Sequence, residues 1–243
     1  MAKRNAAAKA AERAEAERLA AEKQRREKIR AWFLLGAIGV AVLGLVALLL
    51  VPYVRDIKQR HRIENLPLSD VGTSAGAAGC AARELTKVTV PKAGWHVKNG
   101  TPLTYDQAPP AYGKHWAVPL QKSQYRTIFT AKDRPAKELL VHSLEHGYTV
   151  IWFDATAAAD PTTFGALTDL SERFRVGDGV VIVPWTAADG GAFPGGAHVA
   201  LTHWTGPKNQ RGVHQYCTGV SGAAVKSFIT DYPRKDAPEP GAV

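Results

Sequence analysis

The sequence predicts an α/β-type extracytoplasmic domain, a mixed sheet with flanking helices, preceded by one transmembrane helix and a charged N-terminal helix. Three observations predict it. The first 30 residues are nearly all Ala, Glu, Lys and Arg, the next 24 carry no charge, and short β-rich runs alternate with helical patterns over residues 80–235. Alternation of this kind is typical of layered domains in which helices cover a sheet.

Residues 1–30 form a charged arm. Ten Lys and Arg residues against five Glu residues give it +5 of the chain's net charge of +9. These residue types favour a helix, but only Leu19 and Ile29 are large and apolar, so the helix has no face that can pack. We expect a solvated cytoplasmic helix and not a folded domain.

Residues 31–54 are predicted to cross the lipid bilayer. The stretch exceeds the roughly 20 residues that a helix needs to span the hydrocarbon core, and Trp32 and Tyr53 lie at its ends, where aromatic rings favour the interfaces. A buried helix of a globular protein is the alternative, and the length counts against it. Five Lys and Arg residues lie within 23–30 and four within 55–62. The positive-inside rule therefore predicts a single-pass protein of the cell membrane, with its N-terminus cytoplasmic and its C-terminal domain outside.

The chain has two cysteines, Cys80 and Cys217. An even count in an oxidising compartment favours a disulfide, and the alternative is two unrelated buried thiols. The absence of a C-x-x-C pair removes the support for thioredoxin-type redox chemistry.

The composition sets the limits of the soluble part. Small residues in "DVGTSAGAAG" predict a flexible tether over residues 55–79, then one domain over 80–235 and a disordered Pro-rich tail over 236–243. Residues 80–243 hold 17 basic and 14 acidic residues, a near balance that argues against nucleic acid as a partner.

The elements of the domain follow from turn and capping residues. Asp133, Pro135 and Gly147 predict the start and stop of one helix, and Asp160 followed by Pro161 predicts the start of another. The order of the strands in the sheet does not follow from these patterns. The predicted strands are 85–90, 125–130, 148–153, 179–185 and 198–204, and the predicted helices are 134–147, 161–174 and 222–232.

The first of these helices carries the motif H-x-x-E-H, with His142, Glu145 and His146. Two histidines four residues apart project from the same helix face and can reach one metal ion. The same motif occurs in inverted zinc peptidases, which need a further carboxylate ligand well downstream. Glu172 is the only glutamate between the motif and the tail, so the sequence disfavours a peptidase.

Two segments, "DQAPPAYGKHW" (106–116) and "LLVHSLEHGYTVIWF" (139–153), resemble a family of mainly actinobacterial single-pass membrane proteins that is known as a domain of unknown function. Its hallmarks are a P-P-x-x-G-x-H segment followed by H-x-L-E-H-G, and the resemblance covers roughly residues 96–232. Tyr112 departs from the small hydroxyl residue usual before the glycine. The resemblance implies a shared fold and motif set, and no activity. The matching residues are Pro109, Pro110, Gly113, His115, His142, Leu144, Glu145, His146 and Gly147.

The motif residues predict a metal site. Pro109 and Pro110 stiffen the loop and Gly113 permits a turn, so His115 is presented from a rigid segment. Three imidazoles suit Zn(II) or Cu(II), and a soft Cu(I) site is disfavoured because the sole methionine is Met1. The predicted metal ligands are His115, His142, His146 and Glu145, the last as ligand or as orienting acceptor, with His96 as an outer contributor and Trp116 as a roof.

Two alternatives to the metal site stay open. In one, the histidines and Glu145 bond buried backbone groups, Gly147 closes the helix, no cofactor is bound, and the domain is a non-catalytic accessory part of a membrane protein complex. In the other, the site is catalytic without a metal, and whether the protein is an enzyme stays open. Of the remaining histidines, His198 and His203 are five apart on one strand and so face opposite sides, and His214 is expected at the surface.

The compartment and the disulfide make one testable prediction. Protein purified from its own host and denatured without reductant should show no thiol that reacts with a maleimide, because an oxidising compartment preserves the Cys80–Cys217 bond. Labelling after reduction is the control and should count two thiols. Two reactive thiols before reduction would contradict both the bridge and the extracytoplasmic location.

Overall fold

The structure is a computed structural model that describes residues 2–89 and 95–241. The chain divides into two compact units, Met1–Gln59 and Arg60–Val243. The described part of the first unit, residues 2–59, lies within helix α1, Ala2–Glu64. The second contains the end of that helix and the whole of the α/β domain.

Helix α1 joins the predicted arm and the predicted membrane segment without a break. Pro52 is inside the helix and does not end it. The part within Glu15–Glu64 is long enough and apolar enough to cross a membrane, and large side chains such as Leu35 and Leu43 are exposed on it. The sequence prediction of one long apolar N-terminal helix is confirmed.

A five-stranded mixed sheet forms the centre of the domain. The strand order is β1-β7-β6-β4-β5, in which β4 and β5 are parallel and the other neighbours are antiparallel. Two further strands of two residues each pair in parallel. The predicted mixed sheet with flanking helices is therefore confirmed. The strands are β1 Glu84–Lys87, β2 His96–Val97, β3 His115–Trp116, β4 Thr149–Phe153, β5 Val180–Pro184, β6 Val199–Thr205 and β7 Arg211–Cys217.

Helices cover both faces of this sheet, and a hydrophobic core lies on each. Alternate residues of β4 enter different cores: Ile151 packs with α4 and α5, whereas Trp152 packs with α2. Every residue of β4 and β5 is buried, which explains why both strands are apolar apart from Thr149. The helices are α2 Lys137–Glu145, α3 Ala155–Ala159, α4 Pro161–Arg173 and α5 Gly222–Asp231.

The capping predictions had mixed outcomes. Asp160 accepts hydrogen bonds from the backbone of Thr162 and Thr163 and starts α4 as predicted. Asp133 does not cap α2, because its carboxylate accepts instead from the backbone and hydroxyl of Thr130. Helix α2 therefore begins later than predicted, at Lys137, after Ala136.

Strand β7 is the longest of the elements that the sequence did not predict, which also include β2, β3 and the short helix Ala155–Ala159. Its letters, "RGVHQYC", carry little apolar signal, yet six of its seven residues are buried because it lies between β1 and β6. The predicted strand at 125–130 is reduced to a single bridge between Ile128 and Ile182. A neighbouring strand, and not local preference, decides both outcomes.

The disulfide predicted from the cysteine count is confirmed. The sulfur atoms of Cys80 and Cys217 are 2.09 Å apart, and the bond joins the end of β7 to the segment just before β1. Residues 55–79, predicted as a flexible tether, contain the last turns of α1 and a packed segment. Within it, Leu68 is completely buried, and the backbone of Val71 accepts a hydrogen bond from Gly222.

The packed segment leads to a prediction with a matched pair of glycines. A Cβ at Gly222, in the first turn of α5, would overlap the carbonyl of Leu68, so Gly222→Ala should destabilise the domain by about 1–3 kcal/mol. Gly165 lies inside α4 with open space around it, so Gly165→Ala should stabilise by up to about 1 kcal/mol. Denaturant unfolding of both variants measures this. If both variants gain stability, the segment before Cys80 does not dock on α5.

Candidate metal centre

Three elements bring the predicted site residues together. Helix α2 carries His142 and Glu145 in its last turn, and His146 is its C-cap residue. Strand β3 begins with His115, and β2 begins with His96, which is the direct partner of His115 in the parallel pair. The site is thus built where the end of a helix meets the start of a small two-stranded sheet.

The loop before β3 fixes the position of His115. Gly113 adopts a left-handed conformation, with φ of +134°, and its carbonyl accepts a hydrogen bond of 2.8 Å from Nδ1 of His115. The carbonyl of Pro109 accepts from Nε2 of His214 on β7 at 2.9 Å, which ties the loop to the main sheet. The rigid presentation predicted for His115 therefore rests on these hydrogen bonds as well as on the prolines.

Position 147, just after α2, requires a glycine for two reasons. Its φ is +86°, a value that residues with a side chain rarely adopt. In addition, a Cβ at this position would overlap the carbonyl of Arg234 from the C-terminal segment. The glycine of the motif therefore both stops the helix and lets the C-terminal segment pass close to it.

Backbone carbonyls set the tautomer of three histidines. Nδ1 of His115 donates to Gly113, Nδ1 of His142 donates to the carbonyl of Trp116 at 2.6 Å, and Nδ1 of His146 donates to the carbonyl of Glu239 at 2.8 Å. A carbonyl oxygen can only accept, so each Nδ1 carries the hydrogen and, in the neutral ring, each Nε2 carries a lone pair. Anchoring of one ring nitrogen in this way is usual for histidines that bind metal through the other.

The Nε2 atoms face one another and a carboxylate. Oε2 of Glu145 is 3.0 Å from Nε2 of His115 and 3.3 Å from Nε2 of His96, and the Nε2 atoms of His142 and His146 are 2.9 Å apart. Ligand atoms of His96, His115, His142 and Glu145 all lie within 4.8 Å of one another. His146 instead groups at this distance with Glu145 and Glu239.

The electrostatics of this cluster call for a cation. Burial alone raises the pKa of Glu145, but the hydrogen bond from His115 and the neighbouring imidazoles outweigh burial and lower it, so the carboxylate is ionised. Burial lowers the pKa of His142 to about 4, so this ring is neutral at pH 7. Glu145 is 0% exposed, and its Oε1 has no hydrogen-bond partner among residues 2–89 and 95–241. A buried anion of this kind is stable only with a positive partner.

The cluster has one edge open to solvent. The side chain of His96 is 45% exposed, whereas those of His115 and Glu145 are completely buried. Trp116 was predicted to roof the site, but its indole donates to the carbonyl of Thr101, and only its backbone carbonyl reaches the cluster, at His142. The aromatic ring beside His115 is that of Trp204, with centroids 6.0 Å apart.

The other histidines lie outside the cluster. His214 was expected at the surface, and this was wrong: it is 2% exposed because β7 is an inner strand. His198 pairs with Asp154 at 2.8 Å, and His203 is buried in the domain. These side chains are explained by contacts within the fold.

The tail contributes to the site, which the sequence did not indicate. Residues 236–243 were predicted to be disordered, yet Ala237 is completely buried and the amide of Glu239 donates to the carbonyl of Glu145 at 3.0 Å. Glu239 is a further glutamate downstream of the motif, beyond Glu172 and within the predicted tail. No periodic or capping pattern could have identified Glu239, since its position follows from tertiary contacts alone.

A family model described as "Protein of unknown function (DUF3105)" matches residues 96–243. The match covers more than half of the chain, so the protein belongs to this family. It includes every residue of the cluster, and it confirms the resemblance to a family of unknown function. No curated protein and no solved structure gave a significant match.

His203 generates a prediction about pH. Its Nδ1 donates to the carbonyl of Tyr148, and burial lowers its pKa to about 4, below the value near 6.5 of an unfolded chain. Between pH 6.5 and pH 4 this histidine is protonated in the unfolded chain but not in the folded one. The free energy of unfolding therefore has its full value above pH 6.5 and decreases as the pH falls to 4. The loss is at most about 3 kcal/mol.

The matched variant is His203→Gln, which keeps a donor for Tyr148 and removes the titrating ring. Guanidinium unfolding of the full chain in detergent between pH 7.5 and pH 4 should give a shallower decline in the free energy of unfolding for the variant. Equal slopes would show that His203 is protonated in the folded protein.

Proposed function

We propose that this member of the DUF3105 family is a membrane-anchored protein whose extracytoplasmic domain binds a divalent metal ion, Zn(II) or Cu(II), through a histidine cluster. The proposed ligands of the ion are His115, His142 and Glu145, with His96 at the exposed edge. His146, also predicted as a ligand, lies at the border of this set, 2.9 Å from His142.

One observation carries the proposal. His142 and His146 each direct Nε2 at the other while their Nδ1 atoms are held by backbone carbonyls. Two lone pairs at 2.9 Å repel unless a cation lies against them. Because Nδ1 of His115 is held by the carbonyl of Gly113, Nε2 can donate to the ionised carboxylate of Glu145 only when the ring carries a second proton, and a metal ion would supply that positive charge instead. A divalent ion bound to His115, His142 and Glu145 would supply positive charge at both places.

Two distances within the first ligand group are close to those between ligands of one metal ion. In a tetrahedral zinc site with bonds of about 2.0–2.1 Å, ligand atoms lie about 3.3 Å apart. The separations of His115 and His96 from Glu145 are 3.0 and 3.3 Å. Imidazole and carboxylate suit Zn(II) and Cu(II), whereas a soft ion lacks partners because both cysteines are bonded to each other and the sole methionine is Met1.

Two features support the proposed location. The excess of Lys and Arg before residue 31 favours a cytoplasmic N-terminus, and a disulfide between Cys80 and Cys217 suits an oxidising compartment. The ion would then be bound outside the cytoplasm, at a site whose exposed ligand, His96, faces solvent. Two buried histidines and one carboxylate also form a set used by zinc enzymes, in which the remaining position meets water or substrate.

The second candidate is an accessory domain of a membrane complex with a purely structural polar network. It is favoured by the anchoring of His115, His142 and His146 to backbone carbonyls, since those bonds close the cluster without an ion. This reading requires a proton between His142 and His146, although burial keeps the pKa of His142 at about 4. Metal titration separates the two readings.

Calorimetric titration tests the proposal on the full chain in detergent after removal of metal by a chelator. Wild type should bind Zn(II) or Cu(II) with a dissociation constant of about 1 μM or lower, about 8 kcal/mol of binding free energy. His142→Gln should lose this binding, because an amide replaces the Nε2 lone pair while the side chain still fills the buried space.

His198→Gln is the matched control, since this histidine pairs with Asp154 outside the cluster, and it should bind like wild type. Circular dichroism establishes that both variants are folded. Wild-type binding no tighter than millimolar at pH 7.5 would refute the metal centre and favour the accessory domain.

A further inference from the structure

We infer that the site holds a second divalent ion, bound by Glu145, His146 and Glu239 beside the first. The inference rests on the proposed function and extends it to a dinuclear centre. It assigns a role to Glu239 in the C-terminal segment, which lies far from the motif in sequence.

The C-terminal segment is fixed against the end of α2. The amide of Glu239 donates to the carbonyl of Glu145 at 3.0 Å, and Nε of Arg234 donates to the carbonyl of His146 at 3.3 Å. The guanidinium of Arg234 also lies 4.8 Å from the ring centre of Tyr148. The backbone carbonyl of Asp236 accepts a hydrogen bond of 2.5 Å from the amide of Gly206, so the segment is bound next to the end of β6 as well. Glu239 is therefore held beside the motif by the fold.

These contacts bring three ligand atoms together. A carboxylate oxygen of Glu145, a ring nitrogen of His146 and a carboxylate oxygen of Glu239 lie within 4.8 Å of one another. Since Nδ1 of His146 donates to the carbonyl of Glu239, the nitrogen available to an ion is Nε2. One carboxylate, that of Glu145, belongs to both groups of ligands.

The buried charge supports a second ion. Glu145 has two oxygens: Oε2 faces His115 and His96, while Oε1 is buried without a hydrogen-bond partner among the described residues. The carboxylates of the buried Glu145 and the half-buried Glu239 lie within 4.8 Å, and like charges this close repel each other. A divalent cation between them offsets this repulsion and gives Oε1 a partner. In two-metal sites the ions lie about 3.5–4 Å apart, a spacing that one bridging carboxylate spans.

With two ions in the site, the Nε2 atoms of His142 and His146 bind different ions. They are 2.9 Å apart, close enough to belong to adjacent ions, and His142 falls in the first ligand group while His146 falls in the second. The two histidines of the motif thus bind one ion each and are not two ligands of a single ion.

The experiment counts ions on the full chain in detergent. Metal-free protein is dialysed against a buffered low-micromolar concentration of free Zn(II), and elemental analysis gives the number of ions per chain. Wild type should bind two ions and Glu239→Gln one. Glutamine leaves the backbone contacts of the segment unchanged but replaces the charged carboxylate with a neutral amide. Asp236→Asn is the matched control: it removes the same charge from the same segment outside both ligand groups and should bind two.

Co(II) in place of Zn(II) locates the second ion. Two ions bridged by Glu145 couple magnetically, so the paramagnetic resonance signal per ion should be weaker in wild type than in Glu239→Gln. Two ions in both proteins, or two ions without coupling, would overturn the assignment to Glu239. One ion in both proteins would overturn the second site and leave the metal function intact, whereas no ion in wild type would refute the proposed function and the inference together.

Discussion

A completely buried, ionised carboxylate is the constraint around which this domain is organised. Glu145 sits at the end of α2 with His115 and His96 at hydrogen-bond distance of one oxygen, and with no described partner on the other. Taking such a charge out of water costs several kcal/mol unless positive or hydrogen-donating groups surround it. The strands and loops that carry those groups must therefore be held in place, and the loop before β3 and the C-terminal segment are both fixed by hydrogen bonds.

Several parts of the fold hold the groups around Glu145 in place. Strand β3 offers His115, the loop before it is tied to β7 through His214, and Gly147 lets the C-terminal segment reach His146. The main sheet supplies the rigid support, since strands β4 to β7 contribute to a hydrophobic core on each face. A site built on packed elements in this way keeps its ligands in one geometry, which is what distinguishes a binding centre from a chance cluster of histidines.

The sequence predicted the parts of this protein that follow from local rules. The apolar run of α1, the Asp160 cap of α4 and the glycine after α2 all depend on residues that are adjacent in the chain. What it did not predict depends on neighbours in space. Strand β7 is buried by the strands beside it, and Glu239 reaches the motif only because the segment after α5 folds back across α2.

The same distinction applies inside the site. The spacing of His142 and His146 correctly placed both on one face near the motif glutamate, but spacing cannot indicate which nitrogen of a ring is free. That depends on the carbonyls of Trp116 and Glu239, which come from distant segments. The sequence predicted His96 only as an outer contributor. Its position beside His115 follows from the pairing of β2 with β3.

Because the ring nitrogens are anchored to backbone carbonyls, binding of a metal ion would also stabilise the folded protein. Gly113 and Trp116 belong to the segment around β3, and Glu239 belongs to the C-terminal segment, so an ion on the opposite nitrogens would act as a crosslink between these segments and α2. Free ion at a hundred times its dissociation constant would add about 2.7 kcal/mol to the stability of the folded state. A cell short of the metal would then hold a looser form of the protein, more readily opened and cut by proteases, and the abundance of the protein would follow the supply of the ion.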